Sequence, residues 1–180
     1  MDSEMEIPGL NINDILFNLK KLDTVLGLEH IQMEICLIGG TACLLTGITS
    51  RSTVDYDLLN LNYSPIVRNY LNFFHPYDLV DFEATTIPRS YKERLKSVYK
   101  GIYLSCCIPS IEDLILSKLC RNLEKDFKDI DKLMPYADIK KVIALIKEVG
   151  EDLPARYPRI RENYKLSLDT FSKRYGIVVS

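Results

Sequence analysis

The sequence predicts an α/β (α+β) fold, with a sheet flanked by helices over residues 1–108 and a helical C-terminal region over residues 109–180. Three observations predict it. Stretches with helical spacing of apolar residues alternate with short strand-like runs up to Ile108. Beyond Pro109 the chain reads as helix. No internal repeat or low-complexity linker separates the two parts, so they are expected to pack as one unit. A chain of 180 residues is long enough for one full core with a small appended lobe.

The elements follow in order. Asn11 or Asn13 can cap a first helix that carries Ile12, Ile15, Leu16, Leu19, Leu22 and Leu26 on one face and ends near Gly27. A buried strand, Glu34 to Ile38, runs into a short helix from Gly40 to about Thr46. Gly47 and Thr49-Ser50 then turn the chain into a strand from Thr53 to Leu59. A helix follows Ser64-Pro65, with proline in its first turn. Tyr77 to Ala84 alternates as a strand, with Leu79, Asp81 and Glu83 on one face and Val80 and Phe82 on the other. Pro88 is expected to open a charged helix through Lys96, and Ile102 to Ile108 is expected to be the last strand. Ser110-x-x-Asp113 has the form of a capping box and starts a helix bearing Ile111, Leu114, Ile115 and Leu119. Helices are expected at about 125–134, 137–149 and 157–175.

Hydrophobic content of 47% and charged content of 27% are those of an ordinary globular protein. The net charge of −2 does not mark a nucleic-acid binder, but the charge is uneven. On the last helix Arg156, Arg159, Arg161, Lys165, Lys173 and Arg174 offer phosphate contacts to a polyanion, while Ile160, Tyr164, Leu168, Phe171 and Tyr175 form an inward stripe. No apolar run approaches the ~18 residues of a membrane span, and Asp2, Glu4 and Glu6 at the start do not suit a signal peptide. A cytoplasmic location without membrane contact is therefore expected. The five cysteines, odd in number and set in apolar runs, suit reduced structural thiols. Two isolated histidines, His30 and His75, give little basis for a zinc site.

The segment from Leu37 to Leu58 carries the chemistry. An apolar run ends in Gly39-Gly40, where backbone can approach a ligand at the mouth of a helix and unpaired N–H groups favour an anion. Thr41 adds a hydroxyl donor. Asp55 and Asp57, two residues apart on a strand, present carboxylates on one face. Such hard oxygen ligands suit Mg²⁺ or Mn²⁺ far better than zinc. Phosphate at the glycines and divalent metal at the carboxylates is the arrangement that moving a nucleotidyl group requires. A third carboxylate normally completes such a set; Asp81 is the choice here, with Glu83 as the same-face alternative.

These residues resemble the DNA polymerase β-like nucleotidyltransferase superfamily. Its pattern is an apolar residue, Gly-Gly or Gly-Ser, a short helix, and then Asp-x-Asp or Asp-x-Glu in a strand. Ile38-Gly39-Gly40 and Asp55-Tyr56-Asp57 match it, with fourteen residues between Gly40 and Asp55. Within the superfamily, Arg51-Ser52-Thr53-Val54-Asp55-Tyr56-Asp57 looks most like the AbiEii-type branch, the nucleotidyltransferase toxins of toxin–antitoxin and abortive-infection systems. Those proteins continue with a Lys-Leu pair on a helix and a basic-Asp-x-x-Asp segment. Lys118-Leu119, Arg121 and Lys125-Asp126-Phe127-Lys128-Asp129 stand in that order here.

The resemblance implies a mixed sheet and a metal-dependent transfer of NMP from an NTP to an acceptor. The acceptor is an RNA such as tRNA, a protein hydroxyl or a small molecule, and an antitoxin is the implied partner. It implies that Gly39 and Gly40 cradle the triphosphate and that Asp55, Asp57 and Asp81 bind Mg²⁺ or Mn²⁺. It further implies that Lys118 and Arg51 contact phosphate, and that Asp126 and Asp129 position Lys118 or a nucleotide hydroxyl. The alternative is a catalytically silent domain of the same fold that binds nucleotide or a protein partner.

Overall fold

A computed structural model describes residues 9–50 and 53–178. Asn11 caps α1 (Ile12–Leu28) through a reciprocal box. Its side chain accepts from the Asp14 N–H at 3.1 Å, while the Asp14 carboxylate accepts from the Asn11 N–H at 3.1 Å. Ile15, Leu19, Leu22 and Leu26 then fall on one stripe and are fully buried. The chain continues through β1 (Met33–Ile38), α2 (Gly39–Leu45), β2 (Tyr56–Leu59), α3 (Pro65–Tyr70), β3 (Tyr77–Val80), β4 (Lys96–Lys100) and β5 (Leu104–Ile108). Four further helices follow: α4 (Ile111–Ser117), α5 (Glu124–Leu133), α6 (Ile139–Asp152) and α7 (Pro158–Tyr175).

The five strands form one mixed sheet in the order β3-β2-β1-β5-β4. The central strand β1 is parallel to β5 and antiparallel to β2; β3 runs parallel to β2, and β4 antiparallel to β5. Strand alternation gives the sheet two apolar faces. Ile35 and Leu37 of β1 join α1 and the C-terminal helices, including Leu114, Ile130 and Phe171, in one large core. Cys36 and Ile38 join Leu59, Ile87 and Tyr91 in a smaller one on the opposite face. Among the described residues no helix is long and apolar enough to cross a membrane.

Three elements differ from the expected ones. The charged helix expected from Pro88 is a 3₁₀ segment, Arg89–Arg94, and its last expected residue opens β4. Lysines at both ends of β4 disguised it, since edge strands carry such charges to block further pairing. The strand expected from Thr53 starts at Tyr56, and Thr53 makes only an isolated bridge with Leu10. The strand expected to reach Ala84 stops at Val80, and Phe82–Ala84 is a 3₁₀ turn.

Candidate active site

The glycine pair has a steric role. Gly39 sits at φ +62°, in the left-handed region that glycine adopts without cost. A Cβ on Gly39 would stand 1.9 Å from Oδ2 of Asp57, so the missing side chain is the space the carboxylate fills. A Cβ on Gly40 would press on the Thr53 hydroxyl at 3.1 Å. Thr41, expected to donate to phosphate, is fully buried and donates instead to the Asp55 carbonyl at 3.0 Å. Thr53 supports the same residue from the other side, with its hydroxyl 3.1 Å from Asp55 Oδ1. Both threonines thus position Asp55, which lies just ahead of β2. Arg51 lies outside the described residues.

Asp55, Asp57 and Asp78 each present a carboxylate oxygen, and all three oxygens lie within 4.8 Å of one another. Strand register explains the third member. In the parallel pair β2–β3, Asp57 stands opposite Asp78, so their side chains share a face. Asp81, expected in this role, is displaced for two reasons. It has the opposite strand parity to Asp78, and it lies past the end of β3. Its carboxylate is occupied elsewhere, accepting from Asn60 Nδ2 at 2.8 Å and from the Tyr157 hydroxyl at 3.3 Å. Glu83 lies in the 3₁₀ turn, where its carbonyl accepts from the Tyr157 N–H. A signal for Asp78 was present in the sequence. Tyr56-Asp57-Leu58-Leu59 and Tyr77-Asp78-Leu79-Val80 share one pattern, and they pair position for position.

Burial, and next the charge of Asp55, push the Asp57 carboxyl above the ordinary aspartate range; Arg121 and Lys118 offset part of this. Three oxygen donors at this separation, one of them destabilised as an anion by its surroundings, fit a hard divalent cation such as Mg²⁺ or Mn²⁺. The raised pKa also sets a stability prediction. Above its folded pKa the Asp57 anion destabilises the metal-free protein; that penalty shrinks as pH falls through the folded pKa and is gone below the ordinary aspartate range. Asp57→Asn should therefore raise the melting temperature by roughly 2–5 °C at pH 8, with the gain shrinking as pH falls. Mg²⁺ should raise the melting temperature of the wild type but not of the variant. Thermal melts across pH, with and without Mg²⁺, check both.

Facing the carboxylates is a cationic pair from the end of α4. Lys118 is only 5% exposed, and its Nζ lies 2.8 Å from Asp129 Oδ2 and 3.7 Å from Asp126 Oδ1. Burial works against its charge, but neighbouring Cys43, Asp129 and Asp126 outweigh it and hold the pKa above the usual lysine value. Asp126 in turn grips Arg121 through Nε at 3.1 Å and Nη2 at 2.7 Å. Arg121 was not among the expected site residues. Asp126 and Asp129, one turn apart on α5, thus orient two cations toward the site.

Two cavities meet along Asp57, Asp78, Lys118 and Arg121. The smaller, about 120 Å³, is polar and adds Gly40, Thr53, Asp55 and Lys125. The larger, about 410 Å³, opens between Gly39, the end of β3 and α7, where Arg159, Ile160 and Asn163 line it. Three of the six bases expected on the last helix are neutralised. Arg156 is buried, pairs with Asp152 at 2.9 Å and lies over the Phe82 ring at 3.9 Å. Lys173 pairs with Asp169, and Arg174 with Glu124 and Asp131. Tyr164 and Phe171 of the opposite stripe are buried as expected.

A mixed sheet, a Gly-Gly turn under a strand aspartate, and carboxylates facing Lys118 and Arg121 together have the form of a nucleotidyltransferase. Comparison with family models agrees: residues 15–173 match the family described as "Nucleotidyltransferase of unknown function (DUF6036)", and the chain belongs to that family. No curated protein and no solved structure was found to match it.

Proposed function

We propose that this protein is a metal-dependent nucleotidyltransferase that moves an NMP from an NTP onto an RNA or protein acceptor and releases pyrophosphate. The observation that carries the reading is the convergence of Asp55, Asp57 and Asp78 beside Gly39, opposite Lys118 and Arg121. Asp55, Asp57 and Asp78 would hold Mg²⁺ or Mn²⁺, which when bound neutralises charge on the phosphates. Lys118 and Arg121, fixed by Asp126 and Asp129, meet the triphosphate. Backbone N–H groups at the Gly39-Gly40 turn give it a further docking point. Asp78, the exposed member of the three, is the carboxylate most open to an incoming acceptor. Positioning and charge neutralisation supply most of the rate in such a site.

The AbiEii-type likeness gives the finer reading, a toxin restrained by an antitoxin. It is supported by the way Asp126 and Asp129 of the basic-Asp-x-x-Asp segment close on Lys118. The test is incubation with each labelled NTP, Mg²⁺ or Mn²⁺, and total cellular RNA and protein. Label should pass to one acceptor class with wild-type protein and not with Asp57→Ala, and the wild-type gene alone should arrest growth when expressed. Equal labelling by the folded variant rejects the enzyme. Metal-dependent NTP binding without product favours a silent nucleotide-binding domain.

A further inference from the structure

We propose that α7 reads the nucleoside of the donor: base and sugar lie in the larger cavity against Arg159, Ile160 and Asn163, and the triphosphate runs past Arg121 into the smaller one. This rests on the nucleotidyltransferase reading above and assigns substrate recognition to a helix outside the carboxylate cluster. Residues 159, 160 and 163 stand at i, i+1 and i+4, so they share one face of α7. The cavity they line, about 410 Å³, falls within the roughly 300–1,000 Å³ of small-molecule sites. Ile38, Val80, Leu123 and Ile160 give it apolar wall, whereas the smaller cavity is lined almost wholly by polar and charged groups. A polyphosphate has no use for apolar wall. A nucleobase needs it for its ring faces, together with polar groups at its edge.

Arg159 and Asn163 supply that edge. Among the described residues neither side chain has a hydrogen-bond or ion-pair partner, in contrast to Lys173 and Arg174 of the same helix. At the junction of the cavities, Arg121 commits Nε and Nη2 to Asp126, and among the described residues Nη1 has no hydrogen-bond partner, which leaves it for an anion passing between them.

The test is calorimetric titration of the full chain with each of the four Mg²⁺–NTPs and with Mg²⁺–tripolyphosphate, for wild type, Arg159→Ala and Asn163→Ala. Both positions are at least partly open to solvent, so the variants should fold. Each variant should bind the preferred NTP about tenfold more weakly. Asn163→Ala should also flatten the differences among the four bases, and tripolyphosphate binding should not change. Unchanged NTP affinity overturns the proposal. So does an equal loss for tripolyphosphate, which would make Arg159 a phosphate contact. Wild-type binding of tripolyphosphate that no nucleoside improves removes this inference and leaves the phosphate half of the site intact; binding of neither removes both.

Discussion

Asp78→Ala is expected to lower nucleotidyl transfer by at least about 10³-fold, while Asp81→Ala leaves it within about twofold. The contrast follows from the sheet. Asp78 stands in register with Asp57 and shares the 4.8 Å cluster; Asp81 lies past the strand end, hydrogen-bonded to Asn60 and Tyr157. Removing Asp78 deletes one of three oxygen donors at the point where charge must be neutralised. Removing Asp81 frees a half-buried asparagine and an exposed tyrosine hydroxyl that water can satisfy. Initial rates with labelled NTP, measured alongside far-UV circular dichroism to confirm folding, decide between them. Full activity in Asp78→Ala with loss in Asp81→Ala would reverse the assignment of the third carboxylate.

The second large effect is on stability. Lys118→Met should cost about 3–5 kcal/mol of folding free energy and abolish transfer. Lys118 and Asp129 are each about 5% exposed, so removing the cation takes the nearest positive charge, 2.8 Å away, from a buried anion. Asp126 is less affected because Arg121 still holds it with two hydrogen bonds. The double variant Lys118→Met/Asp129→Leu replaces both charges with apolar groups, so it should regain much of the stability without regaining activity. Urea denaturation of the two variants and the wild type measures the difference. If the single and double variants are equally stable, the buried anion is not the source of the loss.

Much of the local structure was legible in the chain. The cap at Asn11, one of two asparagines the sequence offered, the Ser110 capping box, the apolar stripe of α1 and the Gly-Gly turn ahead of Asp-x-Asp each depend on neighbours within a few residues, and each stands where expected. β4 was misread because its pattern of lysines around Val98 fits an exposed helix as well as an edge strand. Thr41 was read as a ligand donor because its position suggests one; its partner, the Asp55 carbonyl, is fourteen residues away and becomes visible only when the turn is closed. Arg174 looked like part of a free basic stripe because its acidic partners Glu124 and Asp131 belong to another helix.

The sequence by itself determined the fold class, the glycine turn and the first two carboxylates, because helix period, strand parity and turn stereochemistry act over a few bonds. Tertiary structure alone decided that Asp78 stands with Asp55 and Asp57, that Asp126 and Asp129 hold Arg121 and Lys118, and that α7 walls the larger cavity. Each of these depends on which strand lies beside which and in what register. That choice is made by burying whole faces of the sheet and helices together, so no single segment carries it.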